Sequence, residues 1–232
     1  MKPISDITIY APDGTVLMTV PLQSNAEAAE ELMRADYVQL SWNAASGDVL
    51  PAGAYIMWNG EKYSLLDPYE PEQSDELQRV YTPQFQSRVM GWGKIPFFHY
   101  NVNTATNEVL SKEPDWSLTG TGSILMQSVI DAIGRETGEL WSIEVDESLN
   151  NGTQTVSFES TDIFSGLNAI ASVFEAEWWA DKTKTGGESG VIGSHGTIYL
   201  ARRIALGEPV ALTVGDNVGV SSVTESKEGY YN

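Results

Sequence analysis

A segment in which helical periodicity gives way to strand periodicity constrains the fold of this chain most. Residues 161–182 read TDIFSGLNAIASVFEAEWWADK, in which Thr161 is a candidate helix cap. The aromatic run that follows the helix is typical of a strand, and IYLARR supplies a second strand after a glycine-rich gap. This order predicts a helix laid against a sheet. The apolar face of the helix carries Ile163, Leu167, Ile170 and Phe174.

Three carboxylates surround the tryptophans of this segment: Glu175, Glu177 and Asp181. Paired carboxylates beside aromatic residues are the groups that a glycoside hydrolase uses. In a strand, however, residues alternate between two faces, so the three acids would share an outer face while Trp178 enters the core. We favour this second interpretation.

The remaining polar residues form no recognisable catalytic motif. His99 and His195 are the only histidines, and neither lies in a metal-binding or triad pattern. The glycine-rich loop 186–196, which contains His195, lacks the lysine and the following helix of a phosphate-binding loop. The chain has no cysteine, which excludes thiol chemistry. We therefore expect no catalytic site, no metal and no cofactor.

The net charge of the chain limits the classes of partner that it can bind. The 13 basic and 32 acidic residues give a net charge of −19, which disfavours specific binding to nucleic acid because the phosphate backbone is repelled. No run of about 18 apolar residues is present, so we expect no membrane insertion.

The first hundred residues have mostly strand character. A turn at Asp13-Gly14 and another at Asn59-Gly60 each separate two apolar runs, and this pattern predicts two hairpins. Ser24-Asn25 is a candidate cap for a short helix, AEAAEELMRA (26–35). Residues 1–102 are therefore predicted to form a β-barrel-like or sandwich domain with one short helix.

A polar, proline-bearing segment, 103–117, is predicted to be a linker. Residues 118–232 are predicted to form an α+β domain with two helices on an antiparallel sheet, because helical and strand periods follow in turn. The first of these helices ends at Gly138. Its predicted apolar face carries Ile124, Leu125, Val129 and Ile133. The absence of a closing turn at KEGYYN suggests that the domain continues in a longer gene product.

Residues 118–232 resemble the second part of phage tail hub proteins, a family also labelled prophage tail endopeptidase or tail-associated protein. The resemblance rests on SILMQSVIDAIG, LWSIEV, VSFESTDIFSGLNAIASVFEAEWWAD, IYLARR and VALTVGDNVGVSSVTESKEGYYN. Residues 1–100 match the N-terminal barrel-like domain of that family by order and size. No motif of a protease or lysozyme active site is found, so the peptidase activity is not carried over.

The resemblance implies a virion structural protein that forms a homotrimeric ring at the end of the tail tube, similar to baseplate hubs. Its partners would be further copies of itself, the tail tube and distal tail proteins, with DNA passing through an acidic channel without specific binding. The alternatives are a carbohydrate-binding or adhesin module and a cell-wall hydrolase. Tryptophans 92 and 116 lie in irregular segments and are expected to be exposed. The candidate interaction residues are Trp92, Phe97, Phe98, Trp116 and His195.

Overall fold

The computed structural model describes residues 6–21, 26–45, 47–73, 78–106, 108–182 and 194–202. Within them the fold is α+β, as predicted, with strands predominating and three α-helices. We call residues 6–86 the first half and residues 88–202 the second half.

The described residues of the first half form ten strands. They are β1 (Asp6–Tyr10), β2 (Val16–Pro21), β3 (Glu27–Glu31), β4 (Ala35–Gln39), β5 (Trp42–Ala44), β6 (Tyr55–Trp58), β7 (Glu61–Ser64), β8 (Glu72–Gln73), β9 (Arg79–Tyr81) and β10 (Gln84–Gln86). Seven of them form an antiparallel sheet in the order β2-β1-β6-β7-β10-β4-β3, and three form a smaller sheet in the order β5-β9-β8. Apolar side chains from both sheets meet in one core, which contains Ile9, Ile56 and Phe85 from the large sheet and Trp42 and Tyr81 from the small one. The large sheet stays open at β2 and β3, so the described strands form no closed barrel.

Both predicted hairpins are confirmed. The first joins β1 to β2, and the second joins β6 to β7 with Trp58 paired to Glu61. The two residues between Trp58 and Glu61 have φ angles of 50° at Asn59 and 86° at Gly60. A two-residue turn of this kind needs positive φ at both positions, which asparagine and glycine tolerate best.

The short helix predicted over 26–35 is wrong. Residues Glu27–Glu31 form strand β3, which pairs antiparallel with β4 along its whole length. The Tyr37 hydroxyl on β4 donates a hydrogen bond to Glu27 Oε1 at 2.7 Å, and Met33 turns the chain with a φ of 60°. Pairing in the sheet therefore overrides the helix propensity of the alanines and glutamates.

The second half contains α1 (Arg88–Gly91), β11 (His99–Val102), β12 (Val109–Glu113), β13 (Asp115–Gly120), α2 (Gly122–Thr137), β14 (Leu140–Val145), β15 (Gln154–Glu159), α3 (Ile163–Val173), β16 (Glu177–Asp181) and β17 (Ser194–Ala201). Strands β11 and β12 form one antiparallel pair, and β13 and β15 form another. A three-stranded sheet has the order β14-β17-β16. The predicted antiparallel sheet is correct for β16 and β17 but wrong for β14, which runs parallel to β17.

The two predicted helices are confirmed as α2 and α3. Gly138 ends α2 with a φ of 74°, as its position predicted. The cap of α3 is Asp162 instead of Thr161, because the Asp162 carboxylate accepts a hydrogen bond from the Ser165 backbone N–H at 2.8 Å. Ile124 was expected on the buried face of α2, yet 51% of it is exposed.

The predicted linker 103–117 contains strand β12 and the first residues of β13. The core of the second half also includes Val89, Trp92 and Phe97, which precede that segment. The domain limits 1–102 and 118–232 stay predictions. No helix among the described residues is long and apolar enough to span a bilayer.

Candidate functional site

A lysine with little solvent exposure joins the two halves of the chain. Lys182 follows β16 in the second half, and its ammonium contacts the Asp36 carboxylate on β4. Two further carboxylate oxygens lie near the Lys182 Nζ, Glu61 Oε2 at 3.2 Å and Glu30 Oε1 at 3.7 Å. The Tyr63 hydroxyl completes this junction cluster by donating a hydrogen bond to Asp36 Oδ1 at 3.1 Å. Only 12% of the Lys182 side chain is exposed, so solvent screens these interactions weakly.

The surroundings of the junction cluster raise the pKa values of Lys182 and Tyr63. Burial alone would lower the pKa of Lys182, but the hydrogen bond and the charge of Asp36 outweigh burial and raise that pKa above its ordinary value. Burial, together with the charge of Asp36, raises the pKa of Tyr63 to about 12. Lys182 is therefore a structural cation at neutral pH and unsuited to act as a nucleophile, which would need a depressed pKa.

A cleft of about 210 Å³ lies beside the junction cluster. Glu139 organises its wall, because this carboxylate contacts Arg88 Nε at 3.3 Å and accepts a hydrogen bond from Trp141 Nε1 at 3.0 Å. Trp141 in turn packs edge-on against Trp92, with ring centroids 4.9 Å apart. The polar and aromatic residues that line the cleft are Glu61, Lys62, Arg88, Trp141, Lys182 and His195, and Met57 and Gly60 complete the lining.

His195 lies on β17, although the sequence placed it in a solvated loop. Its Nδ1 accepts a hydrogen bond from the Leu140 backbone N–H at 3.2 Å. This bond ties β17 to the first residue of β14. The predicted glycine-rich connection falls mostly outside the described residues, since 183–193 are not among them.

Two of the aromatic candidates lie in the core. Trp92 and Phe97 are each 1% exposed, so the expected exposure of Trp92 is wrong. Trp92 belongs to a 3₁₀ turn, Trp92–Lys94, that packs against α3, and this packing buries a side chain in a segment that has no sequence periodicity.

Trp116 and Phe98 are half-buried. The Trp116 ring packs against Phe158 at 4.5 Å between centroids, and its Nε1 donates to the Phe97 carbonyl at 3.0 Å. The Lys112 ammonium lies 5.4 Å from the centre of the Phe98 ring. Whether any of the five candidate residues contacts a neighbouring subunit stays a prediction.

The acidic cluster is dispersed. Glu175 precedes β16 in a turn with a φ of 51°, while Glu177 and Asp181 stand at the two ends of that strand. Four residues of strand separate the Cα atoms of Glu177 and Asp181 by roughly 13 Å. Trp178, by contrast, is buried between Ala176 and Ala180, as strand alternation predicted. The described residues contain no group of three histidines or acids placed to hold a metal ion.

The seven-stranded sheet has open edges at β2 and β3 among the described residues, and these two edges differ in chemistry. Strand β2 carries no charged residue, and it leaves Val16 62% and Leu17 40% exposed. Strand β3 at the opposite edge has the sequence EAAEE. Charged residues on an edge strand hinder pairing with another chain, whereas an apolar edge offers unpaired backbone groups for it. The sequence predicted the hairpin that contains β2. It did not predict that β2 would lie at the edge of the sheet, because strand order follows from long-range pairing.

A scan against protein-family models finds no match for the chain, and a search of curated proteins finds no similar sequence.

Proposed function

We propose that the chain is a structural subunit of a phage or prophage-derived tail tip, which assembles with further copies into a ring at the end of the tail tube. The open apolar edge at β2 is the observation that carries this proposal. An edge of this kind is a template for adding a strand from another chain, and an assembly subunit needs such a surface. The sequence resemblance to tail hub proteins supports the same role.

The junction between the halves supports the proposal in a second way. A ring keeps its shape only if each subunit holds a fixed geometry. Lys182 connects strands of the large sheet to the end of β16, and Met33, between β3 and β4, adds apolar packing against the core of the second half. Several contacts of different kinds restrict movement between the halves more than any one of them would alone.

The net charge supports a channel through which DNA passes without adhering. Carboxylates repel phosphates, so a lumen rich in acids would oppose tight binding of a duplex. We expect no measurable affinity of the assembled ring for double-stranded DNA at low salt. Tight, salt-sensitive binding in an electrophoretic shift experiment would contradict an acidic lumen.

The assembly proposal is tested by the mass of the complete gene product in solution. Light scattering after size exclusion is expected to give a trimer whose mass does not fall on dilution. A matched variant, Leu17→Lys, places a charge on the β2 edge and is expected to shift the protein towards the monomer. A wild-type protein that is monomeric at every concentration would overturn the proposal.

A further inference from the structure

A second strand in the chain has the same features as the β2 edge. The hairpin of β11 and β12 is a two-stranded unit, and all five residues of β12 are exposed. Val109 is 39% and Leu110 is 61% exposed. Isolated two-stranded hairpins are marginally stable in water, and a third strand or a packed face is what stabilises them.

The hairpin is held at its base. The Tyr100 hydroxyl on β11 and the Lys112 ammonium on β12 both contact Glu136 Oε1 near the end of α2, each at 2.5 Å. The charge of Glu136 thus fixes the hairpin where it meets α2. Val109 and Leu110 lie at the other end of β12 and remain exposed.

We propose that β12 of one copy pairs with the β2 edge of the next copy, so that the subunits assemble head to tail. This inference rests on the proposed function. Two different surfaces that complement each other produce a heterologous contact, which closes into a ring when the rotation per subunit allows it. The occupant of the β2 edge is therefore a second copy of this chain.

Low net charge combined with two exposed aliphatic side chains distinguishes these two strands from the other edge strands among the described residues. Copies that each carry a net charge of −19 repel one another unless they meet through surfaces without excess acid. Strand β2 has no charged residue, and β12 has one lysine and one glutamate, so that neither strand has a net charge of its own. Strand β3 has three glutamates, so the other edge of the large sheet is protected against the same pairing.

Strand β14 is the nearest competitor, but its features are weaker. Its exposed aliphatic residue is Leu140, at 51%, and the strand carries the acid Glu144. Strands β2 and β12 each expose two aliphatic residues and each have no net charge. They are therefore better matched to each other than either is to β14.

The chain has no cysteine, so introduced cysteines are unique chemical reporters of the contact. The experiment uses the complete gene product carrying Leu17→Cys, produced together with a differently tagged copy carrying Leu110→Cys. A disulfide forms only where Cα atoms approach within about 7 Å. We expect oxidation to link the two tagged copies, while neither variant produced alone is cross-linked. Further cysteine pairs, with Val16 or Thr19 replaced on β2 and Val109 or Ser111 replaced on β12, test other registers between the two strands.

Matched controls separate this inference from the proposed function. Pairing Leu17→Cys with Ile124→Cys, an apolar position on α2 whose exposure lies between those of Leu17 and Leu110, is expected to give no link. In the cysteine-free protein, Leu17→Lys or Leu110→Lys is expected to raise the concentration for half-assembly at least tenfold, so that dilution releases monomer at concentrations where the wild type stays assembled. The Ile124→Lys variant is expected to leave that concentration unchanged.

Each outcome decides between the two proposals. If the wild type does not assemble, both fail. If it assembles but Leu17→Cys links to itself, β2 pairs symmetrically, and the head-to-tail inference alone is overturned. The same holds if the wild type assembles and none of the β2–β12 cysteine pairs is linked.

Discussion

The Lys182 ammonium and the Asp36 carboxylate form an ion pair across the junction between the two halves of the chain, although 146 residues separate them in sequence. The pair is one part of the junction cluster, in which Glu30, Glu61 and Tyr63 also face the ammonium. Because several acids surround this one cation, loss of the lysine would leave all of them without a counter-charge.

Replacement of that lysine by an apolar residue of similar length is expected to destabilise the protein. In Lys182→Met the buried Asp36 and its neighbouring acids lose their counter-charge, which lowers the free energy of unfolding by about 3–5 kcal/mol. Urea denaturation followed by tryptophan fluorescence measures this change. The control is Lys94→Met, which removes an exposed pair with Asp67 and should cost less than about 1 kcal/mol. Equal effects of the two substitutions would contradict a buried network.

The junction cluster also predicts a loss of stability at high pH. The folded pKa of Tyr63, about 12, lies above its ordinary value of 10.0, and the folded pKa of Lys182 is raised above 10.5. Both groups therefore contribute stability that is fully present below their unfolded pKa values and is lost as the pH rises through the folded ones. We expect the free energy of unfolding to be level up to about pH 10 and to fall between about pH 10 and 12.

The variant Tyr63→Phe identifies the source of that pH dependence. It removes the phenol but keeps the ring, so the decline above about pH 10 should be shallower than in the wild type. Urea midpoints measured at a series of alkaline pH values provide the comparison. A decline of identical slope in both proteins would show that Tyr63 does not contribute.

A glycine in α3 is predicted to be needed for close packing. A Cβ at Gly166 would lie 2.5 Å from Phe97 Cδ1, so Gly166→Ala should lower the free energy of unfolding by about 1–3 kcal/mol despite the better helix propensity of alanine. Gly134 in α2 is the matched control, because the nearest atom, the Glu139 carbonyl oxygen, is at an ordinary 3.5 Å. Gly134→Ala should instead stabilise the protein by about 0.5–1 kcal/mol. Thermal unfolding of both variants measures the difference, and stabilisation by Gly166→Ala would contradict the packing.

Local signals in the sequence predicted the local elements. Asn59-Gly60 predicted a hairpin because the turn requires positive φ at two adjacent residues. Gly138 predicted the end of α2 for a related reason. The alternation around Trp178 correctly placed this ring in the core, since the strand period alone determines the face.

Features that depend on contacts between distant residues were not predictable in this way. The segment 26–35 has good helix formers, but it becomes the partner of β4 because the sheet supplies backbone hydrogen bonds. Trp92 is buried by a turn that packs on α3. Lys182 and Asp36 gave no signal at all, because no sequence period links positions so far apart. The candidate assembly surfaces were missed for the same reason, since an edge exists only once the strand order is known.

The mass of the complete gene product in solution, measured by light scattering after size exclusion over a wide range of concentrations, tests the central claim most directly. The proposed role predicts a trimer that persists on dilution, and a Leu17→Lys variant that is folded but shifted towards the monomer. A folded wild-type protein that remains a monomer at every concentration would contradict the role of this chain as a self-assembling tail subunit.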